Sequence, residues 1–249
     1  MDHPPESATD LVSRAVGAAI DGNDLVVILD DLEEANREAP AFALDVFRAA
    51  VSAHLADIRS ASLRGRTAAR LREHVSLHLA VPMIESWFFT FPDSLRAWCN
   101  LPVIPALAQS DPEEFLTADA MYDAATESHC SCWMTDGRDK KKRPKWLGDL
   151  DRRRHPKGYL QWLCRDPQAP TCTRYSESET GLGVTLLKRL EWWEALGGSV
   201  PRMRYLASMV DDIADALGQP PCTGPLSPAQ LHPLTSRRTP RPSPVLRNL

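Results

Sequence analysis

Apolar residues recur at three- and four-residue intervals first between positions 9 and 20, where Leu11, Val12, Ala15, Val16, Ala19 and Ile20 would line one face of a helix. Thr9 or Ser7 stands where such a helix needs an N-cap. The pattern stops at Asp21-Gly22-Asn23-Asp24, four residues with strong turn chemistry. A continuous apolar, β-branched run follows, Leu25-Val26-Val27-Ile28-Leu29, and predicts a strand buried on both faces. Helical spacing returns from about 40 to 58, with Phe42, Val46, Phe47, Ala50, Val51 and Leu55 on one side. Positions 75 to 84 read as a second strand, bent or at an edge because Pro82 has no N–H for a ladder. Glu85-Ser86-Trp87-Phe88-Phe89 then begins a helix or tight turn. Strand, helix and strand in this order predict a right-handed crossover and a partly parallel sheet flanked by helices.

Beyond Pro92 the pattern is chiefly helical up to Trp133, with proline-rich breaks at 101–105 and 110–112. A short helix is expected over 159–164, and two more, at about 183–196 and 201–217, close the fold. From 219 to 249 there are eight prolines and no acidic residue, which predicts a disordered, mildly basic tail. The expected organisation is one α/β domain over 1–218, helical in its second half, followed by that tail.

Composition narrows the class without naming a function. A chain of 249 residues, 43% hydrophobic and 25% charged, is an ordinary globular sequence with a net charge of -4. Its longest apolar runs are far too short to span a bilayer, and the acidic, proline-containing N-terminus does not resemble a signal peptide. A cytoplasmic location without a membrane partner is therefore expected, with the six cysteines reduced. His129, Cys130, Cys132, Cys164 and Cys172 are zinc-type ligands, yet Cys-Ser-Cys is not the usual two-residue gap and no second tight pair exists. Buried thiols are the preferred reading. No nucleophile elbow, phosphate-binding Walker loop or zinc-protease helix occurs.

Three groups of residues have chemistry to offer. Asp30, Asp31 and Glu33 follow the first strand and Glu85 follows the second, and ligands of parallel sheets sit beyond the carboxyl ends of strands. Oxygen ligands of this kind suit magnesium or manganese, with Asp31 and Glu33 pointing the same way if the strand persists through them. The plainer explanation is that acids after a strand favour the N-terminus of the next helix. Between 138 and 157 lie ten lysines and arginines against three aspartates. Lys140, Lys141, Lys142, Arg143, Lys145, Arg152, Arg153 and Arg154 could neutralise a nucleic-acid backbone, with Trp133, Trp146 or Tyr159 to stack on bases; a solvated loop is the alternative. His155 is a candidate acid–base and Lys157 a candidate phosphate holder, although His-Pro also simply starts helices.

The strand ending in Asp30-Asp31-Leu32-Glu33, the later Ile84-Glu85-Ser86-Trp87-Phe88-Phe89 and the segment His155-Pro156-Lys157 are together similar to a group of bacterial Toprim-like proteins, loosely over residues 10 to 217. The resemblance implies a magnesium-binding fold that cleaves or joins nucleic acid, with Asp31 and Glu33 matching the family's Asp-x-Asp pair. The family's glutamate on a preceding strand has no counterpart here, Glu6 being the only nearby acid. The resulting expectation is a magnesium-dependent, nuclease-like protein of bacterial defence, in which Asp31, Glu33 and Glu85 hold the metal, Asp30 assists, and Lys157 with the basic loop holds phosphate. Its rival is a non-catalytic α/β binding or regulatory protein that docks a companion through the basic loop.

Overall fold

The first helical pattern forms α1, Glu6–Ile20, which begins at Pro5 rather than at the expected caps; the Thr9 hydroxyl instead donates back to the Pro5 carbonyl at 3.2 Å. A computed structural model describes residues 5–33, 36–124, 151–165, 175, 181–191, 196, 202–220 and 225–249. These form two compact units, one of Met1–Leu32, Asn36–Ala80 and Leu196–Leu249, the other of Glu33–Ala35 and Val81–Ala195.

In the first unit, β1 (Val26–Asp31) and β2 (Val75–Ala80) pair in parallel, in register from Val26 with Val75 to Asp31 with Ala80. The expected parallel pairing is therefore present, as a sheet of two strands among the described residues. Burial falls differently from the expectation. All six β2 residues are buried, whereas in β1 only Ile28 is. The crossover holds two helices, α2 (Pro40–Asp57) and α3 (Ala61–His74). The inward face of α2 is Leu44, Phe47, Ala50 and Val51, while Phe42, expected inside, is 51% exposed.

Helix α3 has no counterpart in the hydrophobic pattern, because it buries only Thr67 and Leu71. Its start is set by Ser60, whose side chain accepts from the Leu63 N–H at 3.3 Å. Polar contacts tie it down: the Arg70 guanidinium donates to the Ala19 carbonyl, in the last turn of α1, at 2.8 Å.

The second unit is built on aromatic rings. The 3-10 turn Ile84–Thr90 buries Trp87, Phe88 and Phe89. Phe89 meets Phe115 at 5.0 Å and lies nearly parallel to Tyr159 at 5.6 Å, and Tyr122 bridges Tyr159 and Trp162. Such pairs add to the stabilisation from buried area. The stretch after Pro92 is less helical than expected: α4 (Pro92–Cys99), the turn Pro112–Glu114 and α5 (Ala120–Ala124) are its helical pieces up to residue 124. Between them the backbone pairs as loops, Ala118 N–H donating to the Ala106 carbonyl at 2.9 Å and Ala108 N–H to Leu116 at 2.7 Å. Prolines at 102, 105 and 112, which lack the N–H that a helix interior needs, account for the difference. The turn Arg152–Arg154, α6 (Pro156–Leu163) and α7 (Leu182–Arg189) follow.

The first unit resumes with α8, Arg204–Ala216, which packs on β2. The C-terminal stretch, expected to be disordered, is docked over 225–249, with Leu226, Leu231, Thr235, Leu246, Asn248 and Leu249 buried. Its prolines remove backbone donors without preventing docking. What a reading of the tail alone lacks is the partner: the acids that the tail does not carry are Asp211, Asp212 and Asp215 of α8. Arg238 Nε donates to Asp211 at 3.0 Å, Arg247 Nε donates to Asp212 at 2.6 Å, and Arg237 and Arg247 both reach Asp215. Arg247 N–H donates to the Val75 carbonyl at 2.8 Å, and the Asn248 side-chain amide accepts from Leu77 N–H at 2.9 Å while donating to its carbonyl at 2.7 Å. The tail thus bonds to part of the strand edge that β1 does not pair, and an open edge is the usual liability of a short sheet.

Candidate functional site

Asp30 and Asp31 are the last residues of β1, half-buried and in register with Leu79 and Ala80, so the pair does stand at the carboxyl end of a parallel strand. Burial pushes the Asp30 carboxyl above its ordinary value, against an opposing hydrogen bond from the Asp31 backbone. The strand does not persist through Glu33. That residue is exposed, with φ of 64°, and donates its N–H to the Pro82 carbonyl at 2.8 Å. The alternation that would aim Asp31 and Glu33 the same way therefore ends at Asp31.

Glu85 lies in the 3-10 turn Ile84–Thr90 rather than at a strand end. It is 1% exposed, and its Oε1 accepts the Tyr175 hydroxyl at 2.9 Å. No group of three or more His, Cys, Asp and Glu side chains suited to a metal occurs among the described residues.

His155 is 3% exposed and is the N-cap of α6: its Nδ1 accepts the Gly158 N–H at 3.0 Å. An imidazole accepting at Nδ1 is neutral and carries its proton on Nε2. Burial, with the Lys157 charge adding to it, holds its pKa down to about 4. Lys157 is half-buried on the first turn of the same helix. Arg152 lies over the Tyr122 ring, 4.7 Å from its centroid, and donates to the Tyr122 carbonyl. Arg153 pairs with Asp151 at 2.9 Å, and Arg154 is half-buried beside it. Lys140, Lys141, Lys142, Arg143 and Lys145 lie outside the described residues, as do the zinc-type residues His129, Cys130, Cys132 and Cys172. Cys99 and Cys164 are buried.

A polar cluster that the sequence reading did not single out sits inside the first unit. Ser76 and His78, two apart on β2 and so on one face, both meet Oδ2 of Asp212, the His78 Nε2 at 3.2 Å. His78 and Asp212 side chains are 0% exposed, and Arg247 closes the cluster from the tail. Burial pulls the Asp212 carboxyl up, but hydrogen bonds from His78, Ser76 and Arg247 outweigh it and leave the carboxyl below its ordinary value. The legible signal is a polar residue at every second position of an otherwise apolar strand, Val-Ser-Leu-His-Leu-Ala. The arrangement is not that of a nucleophile and its base, since serine and histidine both turn to the carboxylate rather than to each other. It holds α8 and the tail to β2.

No protein-family model, no curated protein and no solved structure matches the chain.

Proposed function

We propose that the protein is a non-catalytic α/β binding or regulatory protein that engages an acidic partner through the basic stretch from 138 to 157. The observation that carries this reading is His155. A general acid or base must be able to exchange its proton with a substrate near neutral pH. Its Nδ1 is instead committed to the backbone of α6, with a pKa near 4. Glu85 likewise serves Tyr175, and Arg152 the Tyr122 backbone. The groups suited to chemistry are used to hold the second unit together.

One observation favours a second reading, the magnesium-dependent phosphoryl transfer that the Toprim resemblance implies: two aspartates at the carboxyl end of a parallel strand. Purified chain is incubated with labelled DNA and RNA in magnesium or manganese, beside an Asp31→Ala, Glu33→Ala variant. The binding reading expects the two proteins to be alike, with no metal-dependent cleavage. Cleavage by the unaltered chain that the variant lacks would replace it with the second.

A further inference from the structure

The outer edge of β2 is read by two residues of the tail in a way that depends on sequence. Arg247 contributes one backbone N–H to Val75, but the next two bonds, to the N–H and carbonyl of Leu77, come from the side chain of Asn248. An amide side chain here imitates a strand, so residue type as well as backbone is recognised. A second amide bond, from Asn248 to the Thr235 carbonyl at 2.8 Å, holds the asparagine in place. Alongside, three carboxylates of α8 take three guanidinium groups, two of them in forked contacts: Arg238 on both oxygens of Asp211, and Arg247 on Asp212 and Asp215. Leu246 and Leu249, buried on either side of the pair, anchor the end of the chain.

We infer that the β2 edge and the acidic face of α8 form a docking site for an arginine-bearing segment, and that its occupant between molecules is residues 234–249 of a second copy. The seat is filled in cis in the resting chain. The occupant is chosen by charge: the tail has no acid, and α8 supplies Asp211, Asp212 and Asp215 against its arginines. Every contact just described is between the tail and the body of the first unit or within the tail itself, so it forms equally well with the tail of another copy. Exchange of an identical segment between copies is a low-cost route to a dimer. The rim pairs are the easiest to open, Asp215 being 39% exposed, where ion pairs are weak and screened by salt. The inference rests on the first unit alone and is independent of whether the protein is catalytic.

The test uses a full-length acceptor carrying Arg247→Ala and Asn248→Ala, which weakens its own tail and frees the seat, and a fluorescent peptide of residues 234–249. The acceptor is expected to bind the peptide roughly ten-fold or more tightly than the unaltered chain, whose competent fraction is small. Adding Asp215→Asn to the acceptor should weaken that binding several-fold, as should raised salt. Light scattering of the unaltered chain should show a dimer that grows with concentration and that Asn248→Ala diminishes. Equal binding by acceptor and unaltered chain, or no binding by an acceptor that retains a cooperative melt, overturns the inference. If the double variant does not fold, Asn248→Ala alone, which retains the Arg247 side chain and its ion pairs, is compared by the same two criteria.

Discussion

His155 shows how one residue type can be read in two ways. Next to a lysine and after an arginine run it looks like an acid–base group, but the ring is held at the start of α6 with Nδ1 facing a backbone N–H. Because its folded pKa, about 4, lies below the ordinary 6.5, protonation favours the unfolded chain. The stability it supports is intact above pH 6.5 and is lost progressively as pH falls towards about 4, up to roughly 3 kcal/mol from this group. His232, stacked on Tyr205 and lowered by burial to about 4, acts in the same direction. Urea unfolding at pH 7.5 and pH 5 should therefore show lower stability at pH 5, and His155→Asn should remove part of the difference. Asp212, whose folded value is depressed, adds a loss that sets in as pH falls through the usual carboxylate range and continues below it. The burial of Glu85 is hidden from the sequence for a related reason: nothing in Ile-Glu-Ser-Trp-Phe-Phe announces a carboxylate facing inward, because the Tyr175 hydroxyl that donates to it comes from 90 residues away.

At the level of elements, legibility followed hydrophobic burial. Helices α1 and α2 and both strands were evident in the sequence because each carries an apolar stripe or run long enough to set its period. Helix α3 was not, since a 14-residue helix with two buried residues presents no stripe, and its stability comes from a cap and from arginine contacts. Ser60→Ala should accordingly cost about 1 kcal/mol, measurable by denaturant unfolding. The edge of β2 makes a stronger demand. Asn248→Ala leaves the N–H and carbonyl of Leu77 without these bonds, and burial of unmet backbone groups costs about 1–3 kcal/mol each. Amide exchange at Leu77 should rise in that variant, while exchange in α6 of the other unit stays unchanged.

For the whole molecule, the docking of residues 225–249 is what the sequence does not announce, and the reason is nonlocal. Proline content and the absence of acids describe residues 219–249 correctly, but the arginines there meet Asp211, Asp212 and Asp215, carboxylates borne on a separate helix. The acidic strand end was located from sequence, as Asp30 and Asp31 at the close of β1. The left-handed conformation of Glu33 and the burial of Glu85 were not, since both are set by packing that no short motif encodes. No described helix is long and apolar enough to cross a membrane. The account therefore rests on groups with chemical potential being used for structure, and His155 tests that most directly. Nitrogen-detected NMR of the full chain, with His155→Asn to assign the signal, should show a neutral imidazole protonated at Nε2 that does not titrate above about pH 5. An imidazole that titrates between pH 6 and 7, or that carries its proton on Nδ1, would contradict the account and return His155 to the list of candidate acid–base groups.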